Sequence, residues 1–218
     1  MVTLEEKKRL VRRLVRNGRG FAEEFGFRVS SNGANLFQLL YLSILLRSQG
    51  DYRRAVAAAL ALRDRGWDSP GHLSRSPEEE RFRVIRDASH RRDARQMART
   101  LGDLAEAILQ RYRGDLRRLR SAARQDPAAE RELLKELPGV DDAVVDLFFR
   151  DVQTIWHEVA PFADRRALTA ARRLGLGTST ADLAALAGSE ESERLGWLVG
   201  ALTRIDVQNS YDEFRDTN

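Results

Sequence analysis

The sequence predicts an all-α fold. Apolar residues recur at three- and four-residue spacing nearly everywhere, and no stretch keeps up the period-two alternation of a β-strand for long. The chain has 218 residues, 42% of them hydrophobic, enough to bury a real core as one elaborate domain or two small ones.

In chain order, Leu4, Leu10, Val11, Leu14 and Val15 give a first helix its apolar stripe, while Lys7, Lys8, Arg9, Arg12, Arg13, Arg16 and Arg19 crowd the other faces. Gly18 and Gly20 break it. After a loop over 29–35, the segment Leu36–Leu46 is apolar on almost every side and reads as a central helix packed all round, stopped at Gly50. Asp51 caps a short helix through Leu62. Ser76-Pro77-Glu78-Glu79 offers a capping-box start with proline at the first helical position, and another helix begins near His90. Ala94, Met97, Ala98, Leu101, Leu104, Ala105, Ile108, Leu109 and Tyr112 form one unbroken stripe ended by Gly114. Asp126-Pro127 opens the next helix, which carries Leu133, Leu134 and Leu137. An apolar helix over Ala143–Ile155 follows Pro138-Gly139, and another runs from Asp164 to Leu174 after Pro161. Thr178-Ser179-Thr180 then starts a C-terminal helical region containing Leu183, Leu186, Leu195, Trp197, Leu198 and Leu202.

Composition removes whole classes of chemistry. With no cysteine, this chain offers no disulfide, thiolate zinc site, cysteine nucleophile or thiolate-ligated iron–sulfur cluster. His72, His90 and His157 show no metal-ligand spacing, so no metal is assigned. Lysine occurs only at Lys7, Lys8 and Lys135, which leaves 34 of the 37 basic residues as arginine against 33 acidic residues. Arginine stays charged and forks onto phosphate, so a clustered arginine face suits a polyanionic partner; Arg91, Arg92, Arg95, Arg99, Arg117, Arg118 and Arg120 supply one candidate flank. The apolar run at Leu36–Leu46 falls short of the roughly 20 residues that span a bilayer, and the N-terminus lacks an apolar signal core. A soluble, cytoplasmic protein with no membrane partner is expected.

The most informative stretch is Leu133-Leu-Lys-Glu-Leu-Pro-Gly-Val-Asp-Asp142, a helix that turns sharply at Pro138-Gly139 into a second, apolar helix. Such a hairpin can aim unpaired N–H groups at a phosphate, because the first N–H groups of a helix lack internal partners and carry partial positive charge. Taken alone, it reads first as an ordinary interhelical turn. Further on, Trp156-His-Glu-Val-Ala-Pro-Phe-Ala-Asp164 sets an aspartate at the mouth of an arginine-rich helix ending Arg172-Arg-Leu-Gly-Leu176. An aspartate there is ordinarily an N-cap.

Taken together, Leu-Pro-Gly-Val, the aspartate some two dozen residues later, and Leu45-Leu-Arg-Ser-Gln49 upstream resemble the helix-hairpin-helix DNA glycosylases of the endonuclease III superfamily, over roughly Phe21 to Leu176. The resemblance implies a two-lobed helix-hairpin-helix DNA glycosylase fold, with 36–155 as the bundle carrying the hairpin and 1–35 plus 156–218 as a second lobe. It implies double-stranded DNA containing a damaged base as partner, a monomer, and a cleft that receives the flipped base. In that reading Asp164 is the catalytic carboxylate and Gln49 enters the gap left in the duplex. The hairpin Pro138, Gly139, Val140 and Asp141 meets a phosphate, and His90, Arg91 and Arg92 sit in a turn on the DNA side.

Departures from the family pattern carry as much meaning. The second hairpin glycine is replaced by Asp141, which reads as a helix cap, as does Asp142, while their charge still opposes a phosphate. The lyase lysine of bifunctional members is replaced by Ala143, and the four cluster cysteines are missing. The expectation is therefore a monofunctional glycosylase without an iron–sulfur cluster, with a monovalent cation at the hairpin left open, and with alkylated purines as the favoured substrate. A catalytically degenerate DNA-binding protein and a glycosylase/lyase using Lys135 or the N-terminus are the alternatives.

Overall fold

A computed structural model of the chain describes residues 3–47, 52–90, 92–188 and 192–215. Among them there are helices and no strand, as the periodicity predicts: α1 (Leu4–Leu14), α2 (Phe21–Glu24), α3 (Gly33–Arg47), α4 (Tyr52–Asp64), α5 (Pro70–Arg75), α6 (Glu78–Ser89) and α7 (Ala94–Tyr112). These are followed by α8 (Leu116–Ala122), α9 (Pro127–Lys135), α10 (Asp142–Val152), α11 (Arg165–Arg173), α12 (Thr180–Ala187), α13 (Ser192–Gln208) and α14 (Asp212–Arg215).

The chain divides into two compact units, Val29–Phe148 on one hand and Met1–Arg28 with Phe149–Asn218 on the other. The sequence placed these boundaries at 36 and 155. The loop before α3 belongs with the bundle because Asn32 Oδ1 accepts from Ala34 N at 2.9 Å, Asn35 bonds Ser30, and Arg117 reaches Ser31 O. The second boundary falls inside α10, where Phe149 stacks edge-on with Phe162, at 5.8 Å between ring centroids.

In the unit over 29–148, α3 is buried on almost every side, from Leu36 through Leu45, and packs against α4 and α8. Helix α7 turns its stripe of Ala94, Met97, Ala98, Leu101, Leu104, Ala105 and Ile108 inward and packs against α5, α6 and α8. Arg81 is buried at the centre of this packing and donates to the carbonyls of Leu73, Ser76 and Ala98. Gly102 makes room for it, since a Cβ there would collide with the guanidinium. The Ser76 hydroxyl is drawn into the same cluster, donating to Leu73 O at 2.6 Å and accepting from Arg81 Nη1. It therefore closes α5 and does not cap α6, whose N-cap is Pro77.

In the other unit, α13 packs against α1, α2, α11 and α12. Val11, Leu14, Ala167, Ala170, Ala171, Leu183, Leu195, Leu198, Val199, Leu202 and Ile205 form its core. The approach of α2 to α13 needs Gly200, because a Cβ there would meet the backbone of Gly20 and Phe21. Among the described residues no helix is long and apolar enough to cross a membrane.

Candidate functional site: a buried carboxylate and an exposed hairpin

Asp164 lies in the unit formed by the chain ends. Its backbone is extended (φ −72°, ψ 167°) and it caps α11, with Oδ1 accepting from Ala167 N at 2.9 Å. The cap uses one oxygen only. Oδ2 accepts from Thr203 Oγ1 at 2.9 Å and lies 3.7 Å from Arg150 Nη1. The residue is 6% exposed, so its charge is compensated inside the protein, as a buried ion must be.

Arg150 organises this cluster. It is 2% exposed, its guanidinium stands over the Phe21 ring at 4.1 Å, and Nη2 donates to Asp151 Oδ2 at 2.7 Å. Asp151 Oδ1 in turn accepts from Ala22 N at 3.2 Å, tying α2 to α10. One cation thus faces two carboxylates, the arrangement in which removing the cation leaves the most uncompensated charge. Gln153 is also fully buried; its amide donates to Arg150 O and Phe162 O, and its carbonyl accepts from Phe162 N. These bonds hold the segment leading to Asp164.

Sequence reasoning missed Arg150, Asp151 and Thr203. The signal was present: an Arg-Asp pair interrupts the apolar face of Val144, Val145, Phe148, Phe149 and Val152, and charges set in such a stripe are ordinarily buried together or not at all.

The hairpin lies in the other unit. Pro138 is half-buried, Gly139 is exposed and Val140 is buried, with Val140 N donating to Leu137 O at 3.1 Å to close the turn. Gly139 has φ +79°, and a Cβ on it would run into Thr100 Cγ2 on α7 and lie 3.5 Å from Ile44 Cδ1 on α3. Glycine is thus required twice over, by the backbone and by the close approach. Asp141 caps α10 through Oδ1, which accepts from Val144 N at 2.9 Å, while Oδ2 accepts from Arg47 Nε at 3.1 Å. Asp142 is held away by Arg131 and Lys135 of α9. The cap reading of Asp141 is what the geometry shows, and Arg47 is an addition that the sequence did not suggest.

Two positions at the hairpin bear on chemistry. Ala143 at the start of α10 carries no amine. Lys135 Nζ is engaged by Glu132 at 2.9 Å and Asp142 at 3.4 Å, and the bond to Glu132 raises its pKa above the ordinary lysine value. An amine so held stays protonated at neutral pH, which is unfavourable for attack on a sugar.

His90 closes α6 in the left-handed conformation (φ 51°), is exposed, and donates its N–H to Arg86 O at 2.7 Å. Arg92 follows, also exposed. Gln49 and Arg91 lie outside the described residues. In the arginine flank, Arg95 pairs with Glu79 at 2.9 Å and stacks on Phe82, Arg99 faces Glu78 at 3.6 Å, and Arg117 is clamped by Asp115. Among the described residues no three His, Cys, Asp or Glu converge as a metal cluster would.

No family model matches this chain, and no curated protein matches it. Solved structures do. A non-covalent endonuclease III–DNA complex aligns with a TM-score of 0.56 at 17% identity, over 94% of this chain and 86% of that one. A trapped endonuclease III–DNA covalent intermediate, an estranged-adenine complex, aligns with a TM-score of 0.52 at 17% identity and the same coverage. The chain shares their fold.

Proposed function

We propose that the protein is a monofunctional DNA glycosylase of base excision repair, which binds a damaged duplex through its hairpin, accepts the flipped base, and hydrolyses the N-glycosidic bond with Asp164. The observation that carries the proposal is an aspartate, Asp164, at the head of α11 together with an alanine, Ala143, at the head of α10, where the resemblance puts the lyase lysine. Breaking the bond sends its electron pair to the departing base and leaves positive charge on the deoxyribose. A carboxylate held in a water-poor site stabilises that charge and orients or deprotonates the water that adds to the sugar carbon. A lysine is needed only when the enzyme itself attacks the sugar and goes on to cleave the strand. Neither Ala143 nor the ion-paired Lys135 favours that route.

The likeness to endonuclease III–DNA complexes supports duplex DNA as the partner, with the exposed turn at Gly139 as a phosphate contact, His90, Arg91 and Arg92 in a turn on the DNA side, and Gln49 entering the gap left by the flipped base. The reaction proposed needs no iron–sulfur cluster, and alkylated purines are the first substrates to try. The assay is release of free base from duplexes that each carry one damaged base, followed by alkali to reveal abasic sites. Cleavage only after alkali supports the proposal; strand nicking without it supports a lyase.

A second reading has its own observation. Asp164 is almost enclosed, and its Oδ2 is satisfied by Thr203 and compensated by Arg150, an arrangement that suits a purely structural carboxylate. In that case the protein binds duplex DNA on a glycosylase scaffold without excising anything, and no lesion yields base release at any enzyme concentration.

A further inference from the structure

An acidic residue at a turn that meets a phosphate needs an explanation, and the geometry around Asp141 supplies one. Asp141 has no freedom to turn away, because Oδ1 is fixed by Val144 N and its carbonyl accepts from Val145 N at 3.0 Å. Oδ2 is thereby aimed at Arg47, whose Nε donates to it at 3.1 Å. Arg47 closes α3 one turn after Ile44, which packs beneath Gly139, and residues three apart share a helix face. The guanidinium therefore emerges beside the exposed glycine. It is about half exposed, with 51% of the side chain accessible. Asp142, the other acid of the turn, is drawn toward α9 by Arg131 and Lys135.

We propose that Arg47, oriented by Asp141, is a phosphate-binding residue of the hairpin face: the carboxylate holds Nε and sets the plane of the guanidinium, and the two Nη groups form a fork for a duplex phosphodiester. The inference rests on the reading that this hairpin meets the DNA backbone. Planar two-donor recognition is what arginine offers phosphate and lysine does not. The pair also eases the electrostatic objection to an aspartate at this place, since the acid brings its own cation.

The test is a double-mutant cycle, read as binding of a short fluorescent duplex by full-length protein over a series of salt concentrations. Arg47→Ala weakens binding about ten-fold and lowers the slope of log K against log salt by about 0.9, the loss of one phosphate contact. Arg47→Lys keeps the slope but not the fork, and weakens binding about three-fold. Asp141→Asn preserves the cap. In the wild-type background it weakens binding about two-fold, because Arg47 loses its orientation; with Arg47→Ala it tightens binding, because only a repelling charge is removed. That change of sign is not expected of a residue that merely stabilises the fold. Equal tightening by Asp141→Asn in both backgrounds overturns the inference, as does Arg47→Ala with unchanged affinity and slope. A wild-type protein that binds no duplex DNA overturns the functional reading and this inference with it.

Discussion

At the scale of single residues, the division of labour between the two oxygens of Asp164 decides what a substitution does. Asp164→Asn keeps an oxygen for Ala167 N and removes the charge. Arg150 still has Asp151, so the variant folds, at a cost of about 1–3 kcal/mol for an altered buried hydrogen bond, measurable by thermal melting. Excision falls by about 10²-fold or more, as expected when a preorganised charge is removed, while duplex binding persists. Arg150→Met is the opposite experiment. It leaves Asp151 and Asp164 buried without their cation and destabilises the protein by about 3–5 kcal/mol, seen as a lower denaturant midpoint with an unchanged slope. Sequence reading singled out Asp164 through the family resemblance but not Thr203, which is 39 residues away on α13, where no local pattern reports the contact.

At the scale of elements, the hairpin is a turn constrained both by its backbone and by its neighbours. Gly139→Ala forces a side chain into a left-handed backbone and against Thr100. We expect a loss of about 1–3 kcal/mol from strain and overpacking, with duplex affinity falling further than stability alone explains. Helices with long apolar stripes or a capping proline were legible in the sequence: α1, α3, α7, α9 and α11 lie within a few residues of where their patterns put them. The short α2, α5 and α8 were not, because helices of four to seven residues owe their stability to packing more than to a pattern of their own. For α5 there was a local sign, Ser69-Pro70, in which Ser69 accepts from His72 N and proline takes the first position. The same signal at Ser76-Pro77 pointed to a cap and misled, since the Ser76 hydroxyl serves Arg81 instead. The neighbouring amine is also an element-scale matter. With Lys135 held by Glu132 and Asp142, borohydride traps no covalent complex with an abasic duplex, and Lys135→Ala leaves that result unchanged. Efficient trapping lost in the Lys135 variant would contradict the assignment.

At the scale of the whole molecule, the all-α class was readable from period alone, and the fold from the order of three short motifs along the chain. The unit boundaries were not. The loop before α3 looks like a linker in sequence, yet it belongs to the bundle through the bonds of Asn32, Asn35 and Ser31. Helix α10 looks like one element and is shared between the units. The arginines were legible only as composition, because ion pairing depends on tertiary neighbours: Arg95, Arg99 and Arg117 are engaged with acids, while Arg47, outside the basic clusters of the sequence, holds the hairpin aspartate. The proposed reaction is hydrolysis of a base from duplex DNA by Asp164 without strand cleavage. It is tested most directly by single-turnover release of free base from duplexes bearing one alkylated purine, comparing wild type with Asp164→Asn at concentrations where both are bound. That reaction predicts base release by the wild type, strands that break only after alkali, and a loss of about 10²-fold or more in the variant; equal rates in the two proteins would contradict it.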